Sequence, residues 1–227
     1  MLFRSGQSPH NEAIQRDGKQ ITLLRFAPNT FTTAKWTQKQ WNVLDGLKVN
    51  GAGSGFFEYQ VSLPSGLKAD QLSSVRIIAE LSAKQLFGKD KDGANLISGD
   101  YMLGKGTNDP SRNKNSYPMT DEKKFPTMVK IFVNNSCLGS FNLEDDPADH
   151  RGIISWNSQK KDKTLKEAGS YGYLVEANIP TSLIRDSEGK NLLIRFEVDS
   201  ALPGGLAIYG ENFGRYPLDP TICFEMK

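Results

Sequence analysis

The chain has 227 residues, 37% of them hydrophobic, with 28 Lys and Arg against 26 Asp and Glu for a net charge of +2. That balance argues against a polyanion such as DNA as partner, while the apolar content suffices for a sizeable core. No apolar run approaches the ~18 residues of a membrane-spanning helix. The two cysteines, Cys137 and Cys223, allow one disulfide but no disulfide scaffold or metal cluster.

In chain order, the opening "MLFRSGQSPHNEAIQRDGKQ" lacks the basic-then-apolar signature of a secretory leader. The expectation is either a cytoplasmic protein or a module cut from a longer secreted chain. "GAGSG" (Gly51 to Gly55) resembles a phosphate loop only superficially, because no Lys-Ser pair and no helix follow; it reads as a tight turn before a strand. In "GFFEYQVSL", Phe57, Tyr59, Val61 and Leu63 alternate with Glu58, Gln60 and Ser62, the period of a half-buried strand. "SSVRIIAELSAKQLFGKD" fits both periods, and its leading β-branched residues favour a strand.

Residues 97–126 are long, polar and rich in turn formers, the profile of a functional or mobile surface connection. Strand alternation returns in "TMVKIFVN", in "YGYLVEANIP" up to Pro180, in "NLLIRFEVDS", in "GGLAIYG" and in "TICFEM". Lys160, Lys161 and Lys163 read as a solvated face. Many short strands with frequent turn signals predict an all-β fold, a single β-sandwich of jelly-roll type.

Candidates for chemistry are few. His10 and His150 lie far apart with no ligand spacing around either, which speaks against transition-metal catalysis. Acid-rich stretches at Asp90–Asp92, at Asp145–Asp149 and around Asp219 leave room for a structural calcium ion, though none matches an EF-hand. Ser155 lacks a nucleophile elbow and Cys137 lacks a histidine motif. Asp145, Asp146 and Asp149 with Glu176 or Glu211 offer a glycosidase-type carboxylate pair, but "EDDPADHRG" equally suits an Asx turn.

The stronger signal is aromatic. Trp156 follows the loop "DDPADHRGIISW", Tyr171 and Tyr173 flank a glycine, and Tyr209 and Tyr216 bracket "GENFGR". Rings beside Asp, His and Arg make the mixed lining of a ligand pocket, here one suited to sugars. The competing reading places those aromatics in the core.

Four stretches, "GSGFFEYQVSLP", "DDPADHRGIISW", "LKEAGSYGYLVEANIP" and "GGLAIYGENFGRYPLDPTICF", together resemble the C-terminal β-sandwich of family 2 glycoside hydrolases of the β-galactosidase type from polysaccharide-degrading bacteria. The resemblance runs from about Trp36 to the C-terminus. It implies a galactose-binding-like jelly roll over residues 36–227, preceded by a lead-in and first strand over 1–35. It also implies a non-catalytic carbohydrate-binding or accessory module, because in that family the catalytic acids lie on a separate barrel domain.

The implied partners are an oligo- or polysaccharide and the parent's catalytic domain, with no nucleic acid and no membrane. No cofactor is required, and the setting is periplasmic or extracellular within a larger protein. From chemistry rather than resemblance, the sugar-contacting set is Asp149, His150, Arg151, Trp156, Tyr171 and Tyr173. Trp156 would stack on a pyranose, Arg151 and Asp149 would bond hydroxyls or a uronate, and His150 would orient or donate. Two rivals stand beside this reading: a hydrolase or lyase in its own right, and a purely structural domain.

Overall fold

Period-two alternation becomes β structure along the chain. The computed structural model describes residues 10–37, 41–44, 48–51, 53–83, 126–144, 153–154, 167–168, 172–211, 216 and 218–227. In chain order its strands are β1 (His10–Arg16), β2 (Lys19–Arg25), β3 (Thr33–Trp36), β4 (Trp41–Leu44) and β5 (Lys48–Gly51). Next come β6 (Gly55–Ser62), β7 (Leu72–Ser82), β8 (Thr127–Val133), β9 (Ser136–Leu143) and two-residue β10 (Ile153–Ile154) and β11 (Glu167–Ala168). The series continues with β12 (Tyr173–Asn178), a five-residue helix α1 (Thr181–Arg185), β13 (Asn191–Pro203), β14 (Leu206–Tyr209) and β15 (Thr221–Met226).

Two antiparallel sheets form a β-sandwich. The larger runs β1-β2-β15-β7-β14-β5-β4, with β12 also on β7; the smaller runs β3-β6-β13-β8-β9. β15 covers the first part of one β7 edge, and β14 covers its last residues, Leu81 and Ser82. β12 takes the opposite edge, pairing Tyr173 with Leu81 and Asn178 with Arg76. The chain changes sheet repeatedly, at β2 to β3, β3 to β4, β5 to β6, β6 to β7, β7 to β8, between β9 and β12, at β12 to β13 and at β13 to β14. This is the jelly-roll habit expected from the sequence. The stretch before residue 36 contributes the β1–β2 hairpin and most of β3, and β2 pairs with β15.

One continuous core lies between the sheets. Leu24, Val75, Ile77 and Phe224 of one sheet meet Phe57, Tyr59, Val129, Ile131, Ile194 and Phe196 of the other. Tyr59 is fully buried, and its hydroxyl donates to the Pro28 carbonyl at 2.7 Å. Burial above all, and then Asp219, pushes that phenol well above the ordinary tyrosine range.

"SSVRIIAELS" lies within β7, with Val75, Ile77, Ala79 and Leu81 inward, as its β-branched lead suggested. Gly51 faces the Trp36 indole so closely that a Cβ there would lie 2.0 Å from Cε2. Only a bare backbone leaves room for that ring between the sheets.

Two hairpins share one device. Asp17 and Gly18 (φ 52° and 77°) join β1 to β2, and Asn134 and Asn135 (φ 49° and 67°) join β8 to β9. Positive φ at both central residues defines the type I′ turn, whose twist matches that of the strands. Cys137 and Cys223 are free thiols, one exposed on the smaller sheet and one buried on the larger.

Candidate functional site

The outward residues of the smaller sheet are chemically richer than its core face. Register places Lys35, Phe56, Glu197, Lys130 and Ser140 in one row across β3, β6, β13, β8 and β9. The next row holds Thr33, Glu58, Arg195, Phe132 and Cys137.

Arg195 organises the centre of this face. Its Nε and Nη2 donate to Glu58 Oε2 at 2.9 and 2.6 Å, and Nη1 lies 3.6 Å from Glu197. The guanidinium carbon sits 4.6 Å from the Phe56 ring centroid, a cation–π contact that holds the ring in place.

Past Val198 the β13–β8 register shifts, and Asp199 sits at the irregularity. Its Oδ2 accepts from Lys130 Nζ, and its Oδ1 accepts from the Ala201 N–H at 2.8 Å. The Lys130 hydrogen bond, then the Ala201 N–H, lowers the Asp199 pKa below the usual carboxylate range, and Asp199 in turn raises Lys130. Asp199 is therefore a standing anion and an acceptor. A proton-donating acid would need the opposite shift.

Beside this irregularity lies a groove of about 400 Å³. One wall is the end of β3 (Lys35, Trp36, Thr37), the floor is the start of β6 (Ser54, Gly55, Phe56), and the other wall is β13 from Glu197 to Ser200. Thr37 and Ser54 clip the rim: the Thr37 N–H bonds Ser54 O at 2.8 Å, and the Ser54 N–H bonds Thr37 Oγ1 at 3.1 Å. Trp36 is 4% exposed and packs on Phe57 with centroids 5.0 Å apart. Its buried Nε1–H has no hydrogen-bond partner among the described residues. Aromatic faces, hydroxyls and fixed carboxylates thus converge on one concavity, the mix expected of a small-molecule site.

Register also fixes which strand termini share an end. Trp36 pairs with Gly55, Gly55 with Val198, Pro203 with Thr127 and Thr127 with Leu143. The Thr127 hydroxyl reaches the Gly205 carbonyl at 2.7 Å, next to β14. β14 meets the end of β7, where Leu81 also pairs with Tyr173. Groove, Tyr173 and the end of β9 therefore lie at one end of the sandwich.

Of the residues expected to hold sugar, Asp149, His150, Arg151, Trp156 and Tyr171 lie outside the described residues, as do Ser155 and the connection 97–125. Tyr173 is described and 37% exposed, on the same strand face as inward Val175 and Ala177 but beyond the core. Tyr209, in contrast, is fully buried with its hydroxyl 2.9 Å from Ser82 Oγ, a structural position. Glu176 is ion-paired with Arg76 at 3.3 Å, and the Glu211 N–H bonds Asp219. Among the described residues no three His, Cys, Asp or Glu side chains cluster as metal ligands, and no helix is long and apolar enough to cross a membrane.

Sequence reading missed the groove because its walls come from three strands distant in the chain, and β13 showed only as an alternating run. It also missed Glu80. This carboxylate on the outward face of β7 is wholly buried, with Oε1 accepting the Gly172 N–H at 2.8 Å and Oε2 the Tyr216 N–H at 2.9 Å. It ties the start of β12 to the segment before β15.

No protein-family model and no curated protein matches the chain. Among solved structures it is similar to the tandem CBM51 modules of the family 98 glycoside hydrolase from Streptococcus pneumoniae, at 13% identity and a TM-score of 0.29. The alignment covers 98% of this chain, which spans about half (47%) of that one. A likeness so remote carries no weight for function, and the reading of the site stands on its own geometry.

Proposed function

We propose that the protein is a non-catalytic carbohydrate-binding module, accessory to a larger glycoside hydrolase that acts on complex polysaccharide. The observation that carries this reading is the groove at the end of the smaller sheet. Phe56, immobilised by Arg195, offers an apolar ring to a pyranose face. Glu197, Asp199, Thr37 and Ser54 supply hydroxyl partners already fixed by their own bonds, so little entropy is lost when a sugar arrives.

Asp149, His150, Arg151, Trp156 and Tyr171 lie in sequence between Leu143 of β9 and Gly172, which precedes β12. Both flanking positions lie at the groove end. In this reading those residues and Tyr173 extend the sugar site. A structural calcium ion on the acids of 90–92 or 145–149 belongs to the same proposal, as does a periplasmic or extracellular setting. Lowering of the melting temperature by a chelator would support the ion.

Titration of the isolated chain against a glycan panel tests the function. Binding to at least one neutral oligosaccharide, weakened tenfold or more by Phe56→Ala with the fold intact, is the expected result. Turnover of any glycan would favour the hydrolase rival. Absence of all binding would favour a purely structural domain.

A further inference from the structure

The charges in and around the groove are not distributed evenly. Two carboxylates, Glu197 and Asp199, line it against one ammonium, Lys35. The cations that neutralise those carboxylates, Arg195 and Lys130, are not among the lining residues and are already engaged in ion pairs. Arg195 gives two hydrogen bonds to Glu58 and faces Glu197 with a third nitrogen; Lys130 gives its ammonium to Asp199. Among the described residues, an arriving ligand therefore meets fixed acceptors and one exposed cation.

A sugar hydroxyl suits such a wall, since it donates to a carboxylate that is already ionised. A ligand carboxylate does not. It would face two carboxylates whose guanidinium and ammonium partners are already engaged with them and do not line the groove, and like charges at close range repel appreciably near a protein surface. We infer, building on the carbohydrate reading, that this groove selects uncharged glycans and discriminates against uronic acids. The wall excludes the acidic sugar by repulsion rather than by shape. The unpartnered indole N–H of Trp36 does not reverse this balance, because it is buried and uncharged.

The test compares sugars that differ only at C6. Neutral oligosaccharides with galactose, glucose or mannose backbones, and the same chains oxidised at C6 to uronates, are titrated calorimetrically into the full chain at about 20 and about 300 mM salt, across which screening changes several-fold. At low salt the neutral partner of a pair is expected to bind at least tenfold more tightly. Added salt should narrow that gap by relieving repulsion. Glu197→Gln should narrow it as well, read as the ratio of the two affinities, because the same residue also contacts the neutral sugar.

Equal or tighter binding of the uronate, or a preference unmoved by both salt and Glu197→Gln, would overturn the inference and leave the carbohydrate reading standing. Failure of every neutral and oxidised sugar to bind would overturn the carbohydrate reading, and this selectivity with it.

Discussion

Gly51→Ala isolates the packing that sets the groove wall. A Cβ at residue 51 would lie 2.0 Å from Trp36 Cε2 and 2.3 Å from Cζ2. Carbon atoms rest about 3.5–4.0 Å apart, so the indole or the strand must shift by roughly 1.5 Å. The ring has little freedom to do so, because Phe57 packs against it with centroids 5.0 Å apart. Overpacking of this kind costs about 1–3 kcal/mol, offset in part by the ~0.5–1 kcal/mol that alanine recovers over glycine inside a strand.

The expected net loss is therefore about 1–2 kcal/mol. In a domain of this size that corresponds to about 2–4 °C of melting temperature per kcal/mol. Urea unfolding of Gly51→Ala, Trp36→Ala and the double variant forms the assay. Trp36→Ala alone should cost about 3–5 kcal/mol, and Gly51→Ala should become nearly neutral in its background. Were Gly51→Ala to cost as much without the indole as with it, the close approach would not be the cause and this reasoning would fail.

Four further outcomes follow from the same structure. Glu80→Ala strands the buried Gly172 amide, at about 1–3 kcal/mol, and frees the part-buried Tyr216 amide, so hydrogen exchange at those two positions should accelerate more than elsewhere. Tyr59→Phe removes the donor to the Pro28 carbonyl and should cost about 1–2 kcal/mol in denaturant unfolding without altering glycan binding. Asp199, Glu188 and Glu225 all have lowered pKa values, held down first by Lys130, by the Ala69 N–H and by Lys19 respectively. Their stabilisation is present above the unfolded carboxylate range of about 4 and lost as pH falls through the folded values, so thermal stability should decline below about pH 4; the raised Lys130 contributes below about pH 10 and loses its share above it. A thiol reagent should label Cys137 in the native protein and reach Cys223 only on unfolding, so two equally fast thiols would contradict the burial seen here.

The core was legible because it repeats every second residue. Phe57, Tyr59 and Val61 announced β6, and Val129, Ile131 and Val133 announced β8, since each alternates with polar groups. Sequence reading took residues 1–35 as a lead-in with a first strand, not as a hairpin. Residues 11–20 are all exposed, so they carry no apolar stripe. The signal that does mark this hairpin is the Asp17–Gly18 pair, a type I′ turn signature.

The site was far less legible. Tyr209 is buried and Tyr173 half-exposed, although both belong to short aromatic strands; what separates them is the cover supplied by other elements. Likewise, nothing local to Glu197 or Asp199 indicates that β3 and β6 will close a groove beside them.

The place of β15 in the larger sheet has a consequence for synthesis. Residues 221–226 sit between β2 and β7 and supply hydrogen bonds to both. Until they have left the ribosome, β2 and the first part of β7 present edges that no other described strand covers. Unpaired edges are templates for association with other chains. The nascent domain therefore carries an aggregation hazard until residues 221–226 emerge, and a chain truncated ahead of residue 221 should be recovered as aggregate rather than as a smaller sandwich.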